Sequence, residues 1–118
     1  MKIISQILSR DELKGMAGNF FGDLIKAVVD VDKELIGVDA ELHSDLEALL
    51  LENGSKQKDL WGINFYPGKD GDQWVEFDSM INIRPGQGNR SRSVEDQEIR
   101  RKILEIVKKK IKAWTYST

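Results

Sequence analysis

The run Leu24-Ile25-Lys26-Ala27-Val28-Val29-Asp30-Val31, then Asp32-Lys33, then Leu35 through His43, decides the fold. In the first segment Ile25, Ala27, Val29 and Val31 fall on one face of a strand, with Lys26 and Asp30 on the other. Asp32-Lys33 suits a turn. In the returning segment Ile36, Val38, Ala40 and Leu42 point one way, and Asp39, Glu41 and His43 the other. This pattern predicts an antiparallel hairpin with one wet face.

Upstream, Lys2–Ile7 reads as a short first strand. Ser9 and Glu12 then form a capping box, with Leu8 and Leu13 placed as a hydrophobic staple. Leu13, Met16, Ala17, Phe20 and Phe21 share one helical face, and Gly22 ends the helix. Gly15 and Gly18 cost that helix stability, which suggests close packing on the sheet.

Downstream, Ser44 and Glu47 form a second capping box, opening a short helix with Leu46, Leu49 and Leu50 as its buried stripe. A second hairpin follows, Leu60–Tyr66 returning as Trp74–Arg84 and stopped by Pro85. A last helix begins at Ser93 with Asp96 and buries Ile99, Ile103, Ile106 and Val107. The order is (β)αββαββα. It predicts one α+β domain over residues 1–118, an antiparallel sheet with helices packed on one face, and a fraying tail at 112–118.

Composition narrows the function. The chain has 118 residues and no cysteine, which excludes a disulfide scaffold, a thiolate zinc site and a cysteine nucleophile. No apolar run is long enough to span a membrane, and Met1–Gln6 lacks the apolar stretch of a signal peptide, so a cytoplasmic location is expected. The net charge of −2 conceals an asymmetry. Residues 1–81 hold 8 Lys+Arg against 16 Asp+Glu, net −8, and residues 82–118 hold 10 against 4, net +6. A basic third points to an anionic partner or to a solvated helix face, such as that of Arg101, Lys108 and Lys112.

Four constellations can carry chemistry. Asn82, Arg84, Asn89, Arg90 and Arg92 flank a glycine-containing loop between strand and helix, and Arg100 falls inside the apolar arc of the last helix. Arginine offers bidentate geometry to phosphate or carboxylate, so this group is an anion-site candidate; its structural alternative is pairing with the acidic body. The loop lacks the third glycine of a dinucleotide fingerprint and the Gly-Lys-Ser/Thr of a P-loop. Asp39, Glu41 and His43 share a strand face and could offer oxygens and one imidazole to a metal, though no second histidine accompanies them. His43 with Asp45 and Asp78, and Ser44 or Ser79 as nucleophile, is the hydrolytic alternative. Trp61, Trp74, Tyr66 and Trp114 could stack on nucleic-acid bases, although Trp61 shares the core parity of Ile63 and Phe65. No cofactor motif is present.

Two blocks carry a resemblance. They run from Glu41-Leu42-His43-Ser44-Asp45 through Asp59-Leu60-Trp61-Gly62-Ile63-Asn64, and from Phe77-Asp78-Ser79-Met80-Ile81-Asn82-Ile83-Arg84-Pro85 through Asn89-Arg90-Ser91-Arg92, Val94-Glu95-Asp96 and Glu98-Ile99-Arg100. Together they cover most of residues 23–107, and the chain there resembles a small family of uncharacterised bacterial and archaeal proteins, a domain of unknown function. The resemblance implies no activity and transfers no site residues.

The leading expectation is a binding module that holds a phosphate-bearing ligand or nucleic-acid backbone. The alternatives are a small hydrolase-type enzyme, or an interaction protein whose open sheet face is covered by a second copy or a partner. Asn64, Asp78, Asn82 and Arg84 share a polar sheet face, which either forms a pocket with His43 or lies flat.

Overall fold

The computed structural model describes residues 1–112. Among them the elements run β1 (Lys2–Ile3), α1 (Arg10–Ala17), β2 (Ile25–Asp30), β3 (Leu35–Val38), α2 (His43–Glu52), β4 (Leu60–Phe65), β5 (Val75–Glu76) and α3 (Gln97–Lys110). This is the α+β order predicted from the sequence. The strands pair antiparallel in the spatial order β1-β3-β2-β4-β5. None of the described helices is long and apolar enough to cross a membrane.

The alternation in β2 divides the core. Ala27 and Val29 join Ile36, Val38, Trp61, Ile63 and Phe65 on one face, under Leu13 and Ala17 of α1 and Ile103, Ile106 and Val107 of α3. Val28 points the other way and meets Leu46 and Leu50 of α2 and Leu60 of β4. The helices therefore cover both faces, not the single face expected. The signal was the unbroken burial of Val28 between Ala27 and Val29, which only a two-sided sheet requires.

Local chemistry sets the boundaries. The Ser9–Glu12 capping box forms, with Glu12 N–H donating to Ser9 Oγ at 3.1 Å and Ser9 N–H to Glu12 Oε1 at 3.3 Å. Helix α1 ends at Ala17, so Phe20 and Phe21 lie in the following turn and are exposed. Gly15 has no atom within 4 Å of an added Cβ, so close packing does not explain it. Strand β3 stops at Val38 because Asp39 adopts φ 73°, a conformation that breaks the ladder. Helix α2 begins at His43, with Leu42 as its N-cap and no side-chain cap, so Ser44 does not cap it. The cap of α3 is Asp96, whose carboxylate accepts from the Glu98 and Ile99 amides.

The second hairpin departs furthest from expectation. Its returning strand holds only Val75 and Glu76, and a 3-10 turn at Met80–Asn82 replaces the rest. Asn82 substitutes for the missing ladder: its Oδ1 accepts from Gly62 N–H at 2.8 Å, and its Nδ2 donates to Gly62 C=O at 3.0 Å and to Arg92 C=O at 2.9 Å. Asn89 then donates to the carbonyls of Asn82, Ser91 and Ser93 and accepts from Glu95 N–H.

At the far end, Leu8 and Ile111 form a parallel bridge, with Leu8 N–H bonded to Lys110 C=O and Lys112 N–H to Leu8 C=O, both at 2.9 Å. Lys112, expected to fray, is tied down by that bond. The rest of the expected tail, including Trp114, lies outside the described residues.

Candidate functional site

The sheet face under α2 carries two neighbouring rows. Val28 pairs with Gly37 and Gly62 and is covered. Lys26 pairs with Asn64, and Asn64 with Glu76, two residues further along the same face. Lys26 and Asn64 form part of the floor of a cleft of about 180 Å³. Its walls are Leu42, His43 and Ser44 at the start of α2 and, opposite, Asp78, Ser79, Met80, Ile81 and Arg92.

Asn64 is the most telling residue in it. It is only 6% exposed, and its Nδ2 donates to Glu76 Oε1 at 2.8 Å and to Asp78 C=O at 3.2 Å. Its buried Oδ1 has no hydrogen-bond partner. Flipping the amide would set its oxygen against those two acceptors, so the orientation is dictated by its neighbours. Oδ1 lies near enough to His43 to favour the charged ring, but it accepts no well-formed bond.

His43 is 8% exposed, and its Nε2 lies 2.8 Å from the Ile63 carbonyl. A carbonyl only accepts, so Nε2 carries the proton and the neutral ring has its lone pair on Nδ1. Burial holds the imidazole below its ordinary pKa against the opposing pull of the Ile63 carbonyl; Lys26 depresses it further and Asp78 raises it. At the mouth, Arg92 grips Asp78 through Nε at 2.6 Å and a second nitrogen at 3.3 Å. This pair is charge-neutral, and Lys26 makes no ion pair among the described residues. Lys26 and Arg92 thus stand against Asp78 in the lining of the cleft, with the Glu76 carboxylate beside it on Asn64.

The six anion-site candidates do not converge. Arg92 alone lines the cleft. Arg84 lies over the Trp61 ring at 4.2 Å and donates to the carbonyls of Gln57 and Leu60, and burial lowers its pKa. Arg100 lies over Phe77 at 4.5 Å and donates to Val94 C=O and Ser93 Oγ. Asn82 and Asn89 are buried and hold the chain. Arg90 is exposed, and its amide with that of Ser91 is taken by Glu95. The Gln87 and Gly88 amides bond within the loop, which leaves few N–H groups for an anion there.

Of the hydrolytic set, His43, Asp78, Ser44 and Ser79 share the cleft, while Asp45 is exposed and does not line it. The metal set separates. Asp39 accepts from Asn19 Nδ2 and faces the N-terminal ammonium, Glu41 is exposed, and His43 turns inward to Ile63. No group of three His, Cys, Asp or Glu among the described residues could hold a metal ion. Trp61 and Trp74 are buried and unavailable for stacking. Lys26 was missed in the sequence, although its outward parity in β2 was the available signal.

Fold and cleft together define an α+β domain with a small cleft of mixed polar and apolar lining where a helix start meets the sheet. The chain belongs to the family described as protein of unknown function (DUF5674), whose sequence model matches residues 2–110. No curated protein and no solved structure matches the chain.

Proposed function

We propose that the protein is a binding module for a small ligand with an anionic group, held in the cleft at the start of α2 and not in the arginine loop. The observation that carries this reading is Lys26, which lines the cleft beside the uncapped start of α2 and whose charge acts on His43. The uncapped first turn of α2 adds free backbone N–H groups and the positive end of the helix dipole. The volume is below the roughly 300–1,000 Å³ of pockets that take drug-sized ligands, so a phosphate or a small carboxylate suits it and a nucleic-acid duplex does not.

Titration of the ¹⁵N-labelled chain with inorganic phosphate and acetate tests this. The amides of Lys26, His43, Ser44 and Asn64 should shift, and Lys26→Ala should weaken the response while Arg90→Ala leaves it unchanged. Shifts confined to residues 86–92, or none, would sink the reading.

The hydrolytic alternative keeps one specific support: a neutral His43 with a free Nδ1 in the same cleft as Asp78 and Ser79. A panel of chromogenic esters and phosphoesters decides it. Turnover that His43→Gln abolishes supports catalysis, and no turnover by the wild type removes it.

A further inference from the structure

We infer that the loop before α3 holds an oxyanion site outside the cleft, built for a phosphoryl group, which Glu95 occupies in cis. The inference is independent of the cleft reading, since none of Arg90, Ser91 and Glu95 lines the cleft. Three donors converge on a single atom, Glu95 Oε2: the Arg90 N–H at 2.9 Å, the Ser91 N–H at 2.8 Å and the Ser91 hydroxyl at 2.8 Å. Successive backbone amides that share one acceptor form a nest, a concavity that suits phosphate. A carboxylate only accepts, so the Ser91 hydroxyl proton points at Glu95, while Ser91 Oγ accepts from Ser93 N–H at 3.3 Å.

The donors do not depend on the Glu95 side chain for their positions. Asn89, 4% exposed, donates to the carbonyls of Asn82, Ser91 and Ser93 and accepts from Glu95 N–H. Arg84 and Asn89 exchange two backbone bonds, at 2.8 and 3.2 Å. The Arg92 carbonyl is held by Asn82 Nδ2 and Ser79 N–H. Because Glu95 is exposed, moving its carboxylate aside opens a preorganised set of donors to solvent.

Glu95 itself reports that the nest prefers an anion. The Ser91 hydroxyl, then the Ser91 and Arg90 amides, hold its carboxyl below the ordinary carboxylate range, and the Arg90 charge adds to them. Arg90 is exposed and closes no ion pair among the described residues. A phosphoryl group can serve both parts: one oxygen takes the place of Oε2, and the others reach the Arg90 guanidinium. Its charge of about −1.5 to −2 at neutral pH exceeds that of any single carboxylate. A tethered carboxylate competes at an effective concentration on the order of millimolar or more, so Glu95 screens out weakly held anions.

NMR titration of the full chain, as wild type, Glu95→Ala and Glu95→Gln, with inorganic phosphate, O-phospho-L-serine and acetate tests the inference. Glu95→Ala should bind the phosphates at least tenfold more tightly than wild type, with shifts at the Arg90 and Ser91 amides, and should bind acetate more weakly than either. Glu95→Gln, whose neutral oxygen competes less well than a carboxylate, should fall between. Adding Arg90→Ala to Glu95→Ala should reverse most of the gain. Tighter binding of phosphoserine than of phosphate assigns a monoester ligand, and equal binding assigns the free ion; both support the site. If the amides of residues 89–93 lose their dispersion in both Glu95 variants, Glu95 is a structural clamp and the inference is overturned. Folded variants that show no shift at Arg90 and Ser91 overturn it as well, and shifts at Lys26 and Ser44 in those variants would leave the cleft reading standing.

Discussion

Gly37 and Gly62 flank Val28 in a single row across the sheet, but different structures cover them. Over Gly37 lies a regular helix: a Cβ there would meet Leu46 and Leu50 at 3.7–3.8 Å, ordinary contact. Over Gly62 lies the irregular segment after β5, and a Cβ would meet Ser79 at 2.5 Å. Gly62 also gives both backbone groups to Asn82. The helix is held by apolar side chains that can adjust. The irregular segment is held by side-chain-to-backbone hydrogen bonds, which cannot shift without leaving buried polar groups unpaired.

The sharpest way to break this comparison is a pair of substitutions. Gly62→Ala should destabilise the protein by about 3 kcal/mol or more in urea denaturation, while Gly37→Ala should stay within about 1 kcal/mol of wild type. Equal losses would mean that the two covers are alike. Asn82→Ala should cost about 2–3 kcal/mol, because it strands Gly62 N–H and C=O, while Arg92 C=O keeps the Ser79 N–H. The same denaturation curve measures it. Arg84→Ala should cost about 1–2 kcal/mol through lost stacking on Trp61 and two lost carbonyl bonds, and Arg84→Lys should not restore it. Ligand titrations of both Arg84 variants should match wild type, since Arg84 does not line the cleft.

His43 joins the two regions, because it starts α2 and holds Ile63 on β4. Its folded pKa lies below the ordinary value near 6.5, so below that pH the unfolded chain binds more protons. Stability contributed by the neutral ring is full above about pH 6.5 and falls as pH drops towards the folded pKa. His43 is the only histidine. Denaturation at pH 7.5, 6.5 and 5.5 should therefore show a loss of at most about 1.4 kcal/mol per pH unit in wild type, and a flatter profile in His43→Gln. The smallest effect is a gain. Gly15→Ala should raise stability by up to about 1 kcal/mol, because the position is helical and an added methyl meets open space. A loss in thermal melting would show that the Gly15 site is not open.

The sequence was most legible where side chains repeat. Alternation placed β2 and much of β3, and helical spacing placed the buried stripes of α2 and α3. Legibility failed where one residue acts alone. Asp39 ends β3 through a single φ angle, and no periodicity announces it. Asn82 looked like an outward strand residue because its parity is that of Asp78 and Arg84, but its amide replaces a strand's backbone. The four arginines drew attention as charge, whereas Arg84 and Arg100 work through planar stacking and carbonyl bonding. Of the cleft, His43, Asn64 and Asp78 were visible as polar residues, but only the register of β2 on β4 brings Lys26 beside them.

The bridge between Leu8 and Ile111 bears on how the molecule is made. A chain synthesised from its N-terminus can form the β2–β3 hairpin and lay α2 on it early, since those contacts are local. Leu8 and its backbone groups must wait for Lys110, Ile111 and Lys112, more than a hundred residues later. Until then Leu8 and its neighbour in the core, Leu13, lack the cover of α3. The clasp therefore makes the last described turn of the chain the closing step of folding, and a nascent chain halted before it should expose the apolar face that chaperones recognise.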